Sequence, residues 1–241
     1  MTAVERLEEV QLTIANAAAK VGRSAAEVAL IAVSKTHPPE AVREILAAGQ
    51  SVFGESRVQE ARSKIPLVAG KARWQFIGHL QKNKIRPALG LFELFHGIDS
   101  LELARDVDRL AEEAGVFPRI LLEVNVAGEA TKFGFQPAKL REQLEELLSL
   151  QRVQIEGLMC LPPPGPLPED SRPYFVALRE LRDALQTEAR VPLPQLSMGM
   201  SGDFVVAVEE GATLVRVGTA IFGSRSGKTW KPHDETTFSD E

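Results

Sequence analysis

The sequence predicts an α/β fold: a single (β/α)8 barrel of the TIM type, preceded by one extra N-terminal helix. Two observations carry this expectation. Short apolar runs alternate with longer amphipathic stretches as far as Gly223, and eight such runs can be counted. The runs lack the polar positions of a sheet with one wet face, so they read as parallel strands covered on the outside by helices. The length of 241 residues also matches the roughly 250 that such a barrel uses. A doubly wound open sheet is the alternative that the same alternation allows.

The opening helix is expected from Thr2 to Val21, and would cap one end of the barrel. The eight strands are then expected at Val28 to Ser34, Ser51 to Gly54, Trp74 to Gly78, Leu94 to Ile98, Arg119 to Val126, Gln154 to Met159, Gln195 to Met198 and Leu214 to Val217. Between them lie helical patterns such as Glu40 to Ala48, Leu101 to Ala114, Pro137 to Leu150 and Tyr174 to Ala189, with apolar residues at helix spacing and charged residues between. The stretch Leu161-Pro162-Pro163-Pro164-Gly165-Pro166-Leu167-Pro168 sits between a strand and a regular helix, so it reads as a βα loop and not a linker. Residues 1–225 are expected to form the barrel and 226–241 a polar, flexible tail.

Composition narrows the class of function. The chain is 44% hydrophobic and 25% charged, as ordinary globular proteins are. A net charge of -5 and the lack of a basic stripe with interleaved aromatics argue against nucleic acid as a partner. No apolar stretch approaches the roughly 20 residues of a membrane span, and the acidic start of the chain resembles no export signal, so the cytoplasm is the expected location. The single cysteine, Cys160, lies beside Met159 in an apolar run and is expected to be inert packing. Charged helix faces lead to the expectation of a monomer.

Barrels place their chemistry at the C-terminal ends of the strands. Lys35 ends the first strand, which Thr36-His37-Pro38-Pro39 cuts off. Alternation puts it on the face of Ile31 and Val33. An amine partly withdrawn from water loses some preference for its charged form and can attack a carbonyl; the plain alternative is a solvated strand-end lysine. Ser56 follows the second strand and His79 the third. Asn125 and Met159 fall near the ends of the fifth and sixth strands, Ser197 near the end of the seventh, and Arg216 lies within the eighth.

The segment Ser197-Met198-Gly199-Met200-Ser201-Gly202-Asp203 leads into a helix and offers hydroxyls and backbone N–H groups to an anion. Ser201 or Asp203 could equally serve as a helix cap. Gly218 and Thr219 follow the last strand, where barrels commonly bind phosphate. Arg216 alternates with Leu214 and Gly218 and needs an acceptor, either a protein carboxylate or a ligand atom. A strand-end lysine, a two-part phosphate cradle and an inward arginine together suit a phosphorylated aldehyde held as an imine, and pyridoxal 5'-phosphate (PLP) has that form.

At these residues the sequence resembles the PLP homeostasis protein family, known in animals as PROSC or PLP-binding protein. The matching segments are Ala32-Val33-Ser34-Lys35-Thr36, Phe53-Gly54-Glu55, Phe76-Ile77-Gly78-His79-Leu80-Gln81 with Asn83-Lys84, Gly157-Leu158-Met159, Ser197-Met198-Gly199-Met200-Ser201 with Asp203, and Arg216 through Gly223. The resemblance implies a barrel similar to the N-terminal domain of alanine racemase, with PLP covalent on Lys35 as an aldimine. It implies that Ser201, Gly218 and Thr219 hold the phosphate and that Arg216 faces the pyridine nitrogen, where it leaves the ring unprotonated and a poor electron sink. Met200, Ser197, His79, Met159 and Ser56 complete the expected cofactor-binding set.

Two positions depart from the family pattern. Ser56-Arg57 stands where Asn-Tyr is usual, and Thr131 stands where serine is usual before Lys132 and Gly134. Lys132 reads as a solvated loop lysine, with transient acceptance of PLP as the sharper alternative. The expected function is a PLP carrier and regulator that could serve apo PLP-dependent enzymes; the alternative is a small amino-acid racemase. Length favours the carrier, because the barrel takes up the chain to about Gly223 and leaves no room for the racemase's β-rich second domain. The lone tyrosine, Tyr174, is expected to pack and not to act as the opposing base. His37 and His96 are expected to be structural, and His79 more a hydrogen-bonding residue than a base.

Overall fold

A computed structural model describes residues 1–129 and 132–223. Eight parallel strands close into a barrel in sequence order: β1 (Ala29–Val33), β2 (Val52–Glu55), β3 (Arg73–Phe76), β4 (Leu94–Ile98), β5 (Arg119–Glu123), β6 (Gln154–Met159), β7 (Gln195–Ser197) and β8 (Leu214–Val217). Closure is the pairing of β1 with β8, in which Ile31 lies beside Arg216 and Ala32 beside Val217. Around them run α1 (Ala3–Lys20), α2 (Pro39–Ala47), α3 (Val58–Lys64), α4 (Ile85–Leu89), α5 (Leu101–Ala114), α6 (Pro137–Leu148), α7 (Arg172–Ala189), α8 (Phe204–Glu209) and α9 (Thr219–Phe222). The open sheet is therefore set aside. The expected tail at 226–241 and Thr131 lie outside the described residues.

The opening helix is where expected but does not cap an end. Thr2 and Glu5 form a reciprocal capping box, and Leu7, Val10, Ile14 and Ala17 make a buried stripe. Arg6 Nε donates to Ile221 O in α9 at 2.7 Å, whereas Arg23, just past the helix, donates to Val208 O at 2.8 Å and Ala212 O at 3.0 Å near the foot of β8. The helix thus runs the height of the wall. The four residues of α9 are too few to cover the outer face of β8, and α1 packs against α2, α8 and α9 to fill that slot.

Two further differences from the expected elements have physical reasons. β5 stops at Glu123 because Asn125 leaves the ladder: its Nδ2 donates to Glu129 O at 2.8 Å and its Oδ1 accepts from Glu129 N at 3.2 Å, which closes a loop. The helix α3 has no clean apolar stripe in its sequence, because its inward face carries the charged pair Glu60 and Lys64 one turn apart beside Val58 and Ala61.

That pair belongs to a buried ionic cluster between the barrel and α3. Lys64 is fully buried and donates to Glu55 Oε1 at 2.8 Å, Glu60 Oε1 at 2.7 Å and Ser34 O at 2.8 Å. Ser34 Oγ donates to Glu55 Oε1 at 2.6 Å, and Glu60 accepts from the backbone N–H of Thr36. Thr36 needs that support, since its φ of 69° is an unfavourable conformation for a β-branched residue.

Inside the barrel, Ile31, Val52, Leu94, Leu121, Met159 and Leu214 form a separate apolar floor. Buried polar side chains of Gln75, His96, Glu123, Ser197 and Arg216 lie on β3, β4, β5, β7 and β8. Burial pushes the Glu123 carboxyl up to about 7, with the Asp99 carboxylate adding to the shift and the Arg216 cation opposing it.

Lys64→Met is expected to destabilise the fold by about 3–5 kcal/mol, because it strands two buried carboxylates; a urea unfolding curve that moved by under about 1 kcal/mol would refute the stated role of the cluster. Glu123 has a raised folded value, so the folded state holds its proton more tightly than the unfolded chain. Its contribution is present below about 4.5, and is lost as pH rises through about 7. Glu123→Gln, which imitates the protonated form, is therefore expected to gain stability over the native chain as pH climbs across that window, by roughly 1–3 kcal/mol. Equal pH slopes for the two proteins would contradict it.

Candidate functional site

The C-terminal mouth of the barrel holds a cavity of about 370 Å³, a size that suits a small ligand. Val33, Lys35, Met200, Ser201, Arg216, Gly218 and Thr219 all line it, together with His37, Ile77 and Leu161. Strand alternation explains the lysine: Ile31 belongs to the barrel floor, while Val33 and Lys35 follow it upward on the same face. One expectation needs correction. Lys35 is exposed, not partly withdrawn from water, because β1 ends two residues earlier and the turn held by Glu60 lifts Lys35 to the rim.

Across the seam between β8 and β1 lies a convergence of donors. The backbone N–H groups of Gly218 and Ala220 both point at Ser201 Oγ, at 3.2 and 3.3 Å. Ser201 therefore does not cap α8. Asp203 makes no cap either; its carboxylate accepts from Met200 N–H at 2.7 Å and from the Ser171 hydroxyl at 2.7 Å, and so fixes the turn that presents Ser201. Gly218 suits the close packing here, since a Cβ would stand a tight 3.1 Å from Val33 O. Two N–H groups and a hydroxyl that converge on one point form a fitting receptor for a phosphate.

Arg216 is 4% exposed and pairs with no protein carboxylate among the described residues. Its Nη1 donates to Ser197 Oγ and its Nη2 to Cys160 O at 3.0 Å, both neutral acceptors. Ser197 then meets His96 Nδ1 at 2.8 Å, and His96 Nε2 meets Gln75 Oε1 at 2.8 Å. The chain has one consistent direction. The Ser197 hydroxyl donates to Nδ1 and Nε2–H donates to Gln75, which assigns His96 the neutral Nε2–H tautomer. Complete burial, assisted by the Arg216 charge, holds the imidazole well below the ordinary histidine value, in agreement with that assignment. Arg216 is thus positioned by residues on β3, β4 and β7 and by Cys160 just past β6, and its Nε makes no hydrogen bond among the described residues.

Four of the residues expected at the cofactor lie elsewhere. Ser197 is fully buried and acts on Arg216 from behind, and Met159 lies in the apolar floor. His79 and Ser56 line a different cavity, with Arg57, Gln59, Gln81 and Lys84. His79 faces away because its Nδ1 lies 3.0 Å from Asp99 Oδ2 and its ring stacks on Phe133 at 3.9 Å between centroids. Lys132 pairs with Glu129 at 3.0 Å, and Tyr174 is part of the outer helix α7. Burial drives the Cys160 thiol up to about 12, so it remains neutral. His37, read from sequence as structural, does line the mouth, where it stacks on Phe222 at 4.8 Å. His96 is structural, as its sequence position suggested, while Gln75 is a support the sequence reading did not name; the signal available was a polar residue inside a strand otherwise read as buried.

Among the described residues there is no His, Cys, Asp and Glu cluster suited to a metal ion, and no helix long and apolar enough to cross a membrane.

Comparison with known proteins agrees with this geometry. The family model described as "Alanine racemase, N-terminal domain" matches residues 10–226. A pyridoxal phosphate homeostasis protein of Aquifex aeolicus is 47% identical over 226 residues, which cover 93% of this chain and 99% of that protein. The Escherichia coli protein of the same name is 39% identical over 226 residues, with 91% and 95% covered. Among solved structures, PipY of Synechococcus elongatus with PLP bound superposes with a TM-score of 0.82 at 41% identity, and covers 92% of this chain and all of that one. Alanine racemase of Clostridium difficile, at 15% identity and a TM-score of 0.70, shares the fold over 61% of its own length. With the barrel, the mouth residues and these relatives in agreement, the chain belongs to the pyridoxal phosphate homeostasis protein family.

Proposed function

We propose that this protein binds PLP in the mouth cavity, covalently through Lys35 Nζ, and holds it for intracellular PLP homeostasis without strong catalysis of its own. One observation carries the reading: Lys35, the donors that converge at Ser201, and Arg216 share a single cavity. PLP supplies an aldehyde that an amine can capture and a dianionic phosphate that needs neutral or positive donors. The chain's own residues match those demands. Gly218 N–H, Ala220 N–H and Ser201 Oγ receive the phosphate, and the exposed Lys35 reaches in from the end of the adjacent strand β1.

Arg216 supports the holder over the racemase. A guanidinium donates and cannot accept, so it leaves a ring nitrogen beside it unprotonated. The tetrad behind it keeps that cation in place, and burial without a carboxylate partner lowers its proton affinity somewhat from a very high starting point. A racemase also needs a base on the face opposite its lysine. Tyr174, the one tyrosine in the chain, lies on α7 and not on the cavity wall. An exposed Lys35 leaves its covalent link within reach of solvent and of incoming amines, which suits release to apo-enzymes.

Incubation with PLP is expected to give a yellow protein whose colour borohydride fixes on the peptide that contains Lys35, while Lys35→Ala stays colourless. A colourless native protein would overturn the cofactor assignment. Ser201→Ala is expected to weaken PLP retention roughly tenfold or more, because a hydrogen bond to a charged group is lost; unchanged retention would place the phosphate elsewhere. Chiral analysis after incubation with L- or D-alanine separates the two classes: turnover far above that of free PLP would reject the holder in favour of the racemase.

A further inference from the structure

The departure at Ser56-Arg57 has a structural counterpart. On the β2–β3 side of the barrel mouth, Ser56, Arg57, Gln59, His79, Gln81 and Lys84 line a second cavity of about 390 Å³, with Val58 and Phe76 at its base. We propose that this cavity is an oxyanion site, which takes a small carboxylate or phosphate between Arg57 and Lys84, distinct from the cradle at Ser201.

Several cations nearby in the chain are already paired. Lys82 pairs with Glu102 and Asp106, Arg86 with Glu113, and Lys64 with Glu55 and Glu60. The side chains of Arg57 and Lys84 make no ion pair or hydrogen bond among the described residues, although Lys84 is half-buried. A partly desolvated ammonium beside an unpaired guanidinium is unfavourable until an anion arrives. No carboxylate lines the cavity. Asp99 lies behind His79 and is engaged by it at 3.0 Å.

The walls are also rigid. A Cβ on Gly78 would stand 2.3 Å from Ser56 O, so the end of β3 rests directly on the Ser56 backbone and fixes where the hydroxyl and Arg57 begin. On the other side, stacking on Phe133 holds the ring of His79 in place. The guanidinium fork, an ammonium, a hydroxyl and two amides form a donor-rich set that carboxylates and phosphates satisfy. A concave pocket of this size favours a small molecule over the acidic surface of a macromolecule.

Amide-resolved NMR of the full-length chain separates this site from the cradle. Inorganic phosphate and succinate are titrated separately at constant ionic strength, with sodium chloride as the control. The amides of Ser56, Arg57 and Gln81 are expected to shift and saturate with one or both probes, at a Kd on the order of 1 mM or tighter. Whichever probe acts identifies the anion as phosphate or carboxylate. Lys84→Gln is expected to weaken the response about tenfold, and Arg57→Tyr with Lys84→Gln to abolish it, while the response of Gly218 and Ala220 to phosphate persists. Amides that stay in place with both probes in the native chain, or that shift equally in the double variant, would overturn the proposal. The native titration decides the matter even if a variant fails to fold.

Discussion

The mouth of this barrel depends on one fully buried ammonium, Lys64, and the two carboxylates it holds. Glu55 comes from the end of β2 and Glu60 from α3, and through them Ser34 and Thr36 are tied down on either side of Lys35. Three charges out of water are costly in isolation, and replacement by apolar residues could give an equally stable fold. What apolar packing cannot do is accept a hydrogen bond from the N–H of Thr36, whose backbone is turned into the left-handed region. The cluster therefore specifies a conformation more than it adds stability. Glu55 carries the residual cost: burial raises its proton affinity, and its Oε2 has no partner.

A second polar network works from inside the barrel. The run from Arg216 through Ser197 and His96 to Gln75 crosses from β8 to β3 and orders the guanidinium without a countercharge. The two networks have opposite consequences for the side chains they serve. Arg216 is held at four-per-cent exposure in a fixed setting, whereas the clamp on Ser34 and Thr36 fixes only the backbone of Lys35 and leaves its side chain in solvent. A fixed guanidinium and a solvated amine thereby stand on different sides of the same seam.

The strands were legible because parallel strands buried on both faces leave continuous apolar runs, and β4, β6 and β8 have the bounds that those runs suggest. Lys35, Ser201, Gly218 and Thr219 were legible for a related reason: strand ends and the residues that follow them must form the mouth of a barrel. The same rule misplaced His79 and Ser56. A residue just past a strand can turn either way, and the pull of Asp99 and Phe133 on His79 comes from β4 and β5 loops far away in sequence. Lys64 and Glu60 were invisible because charged residues at helix spacing imitate a solvated face. Only the tertiary contact with Ser34 reveals that this face is the buried one.

The position of the lysine relative to the cradle bears on the proposed role as a holder. Ser201, Gly218 and Ala220 belong to β7–β8, Arg216 to β8, and their mutual contacts do not pass through Lys35. Noncovalent recognition of phosphate and ring would thus persist while the covalent link exchanges with another amine. An exposed amine lowers the barrier to that exchange because no desolvated charge has to be rebuilt when the link breaks. A catalyst gains from the reverse arrangement, with the lysine buried and its proton affinity tuned toward the operating pH. The separation of a fixed cradle from a solvated anchor is the physical ground on which release is favoured over turnover.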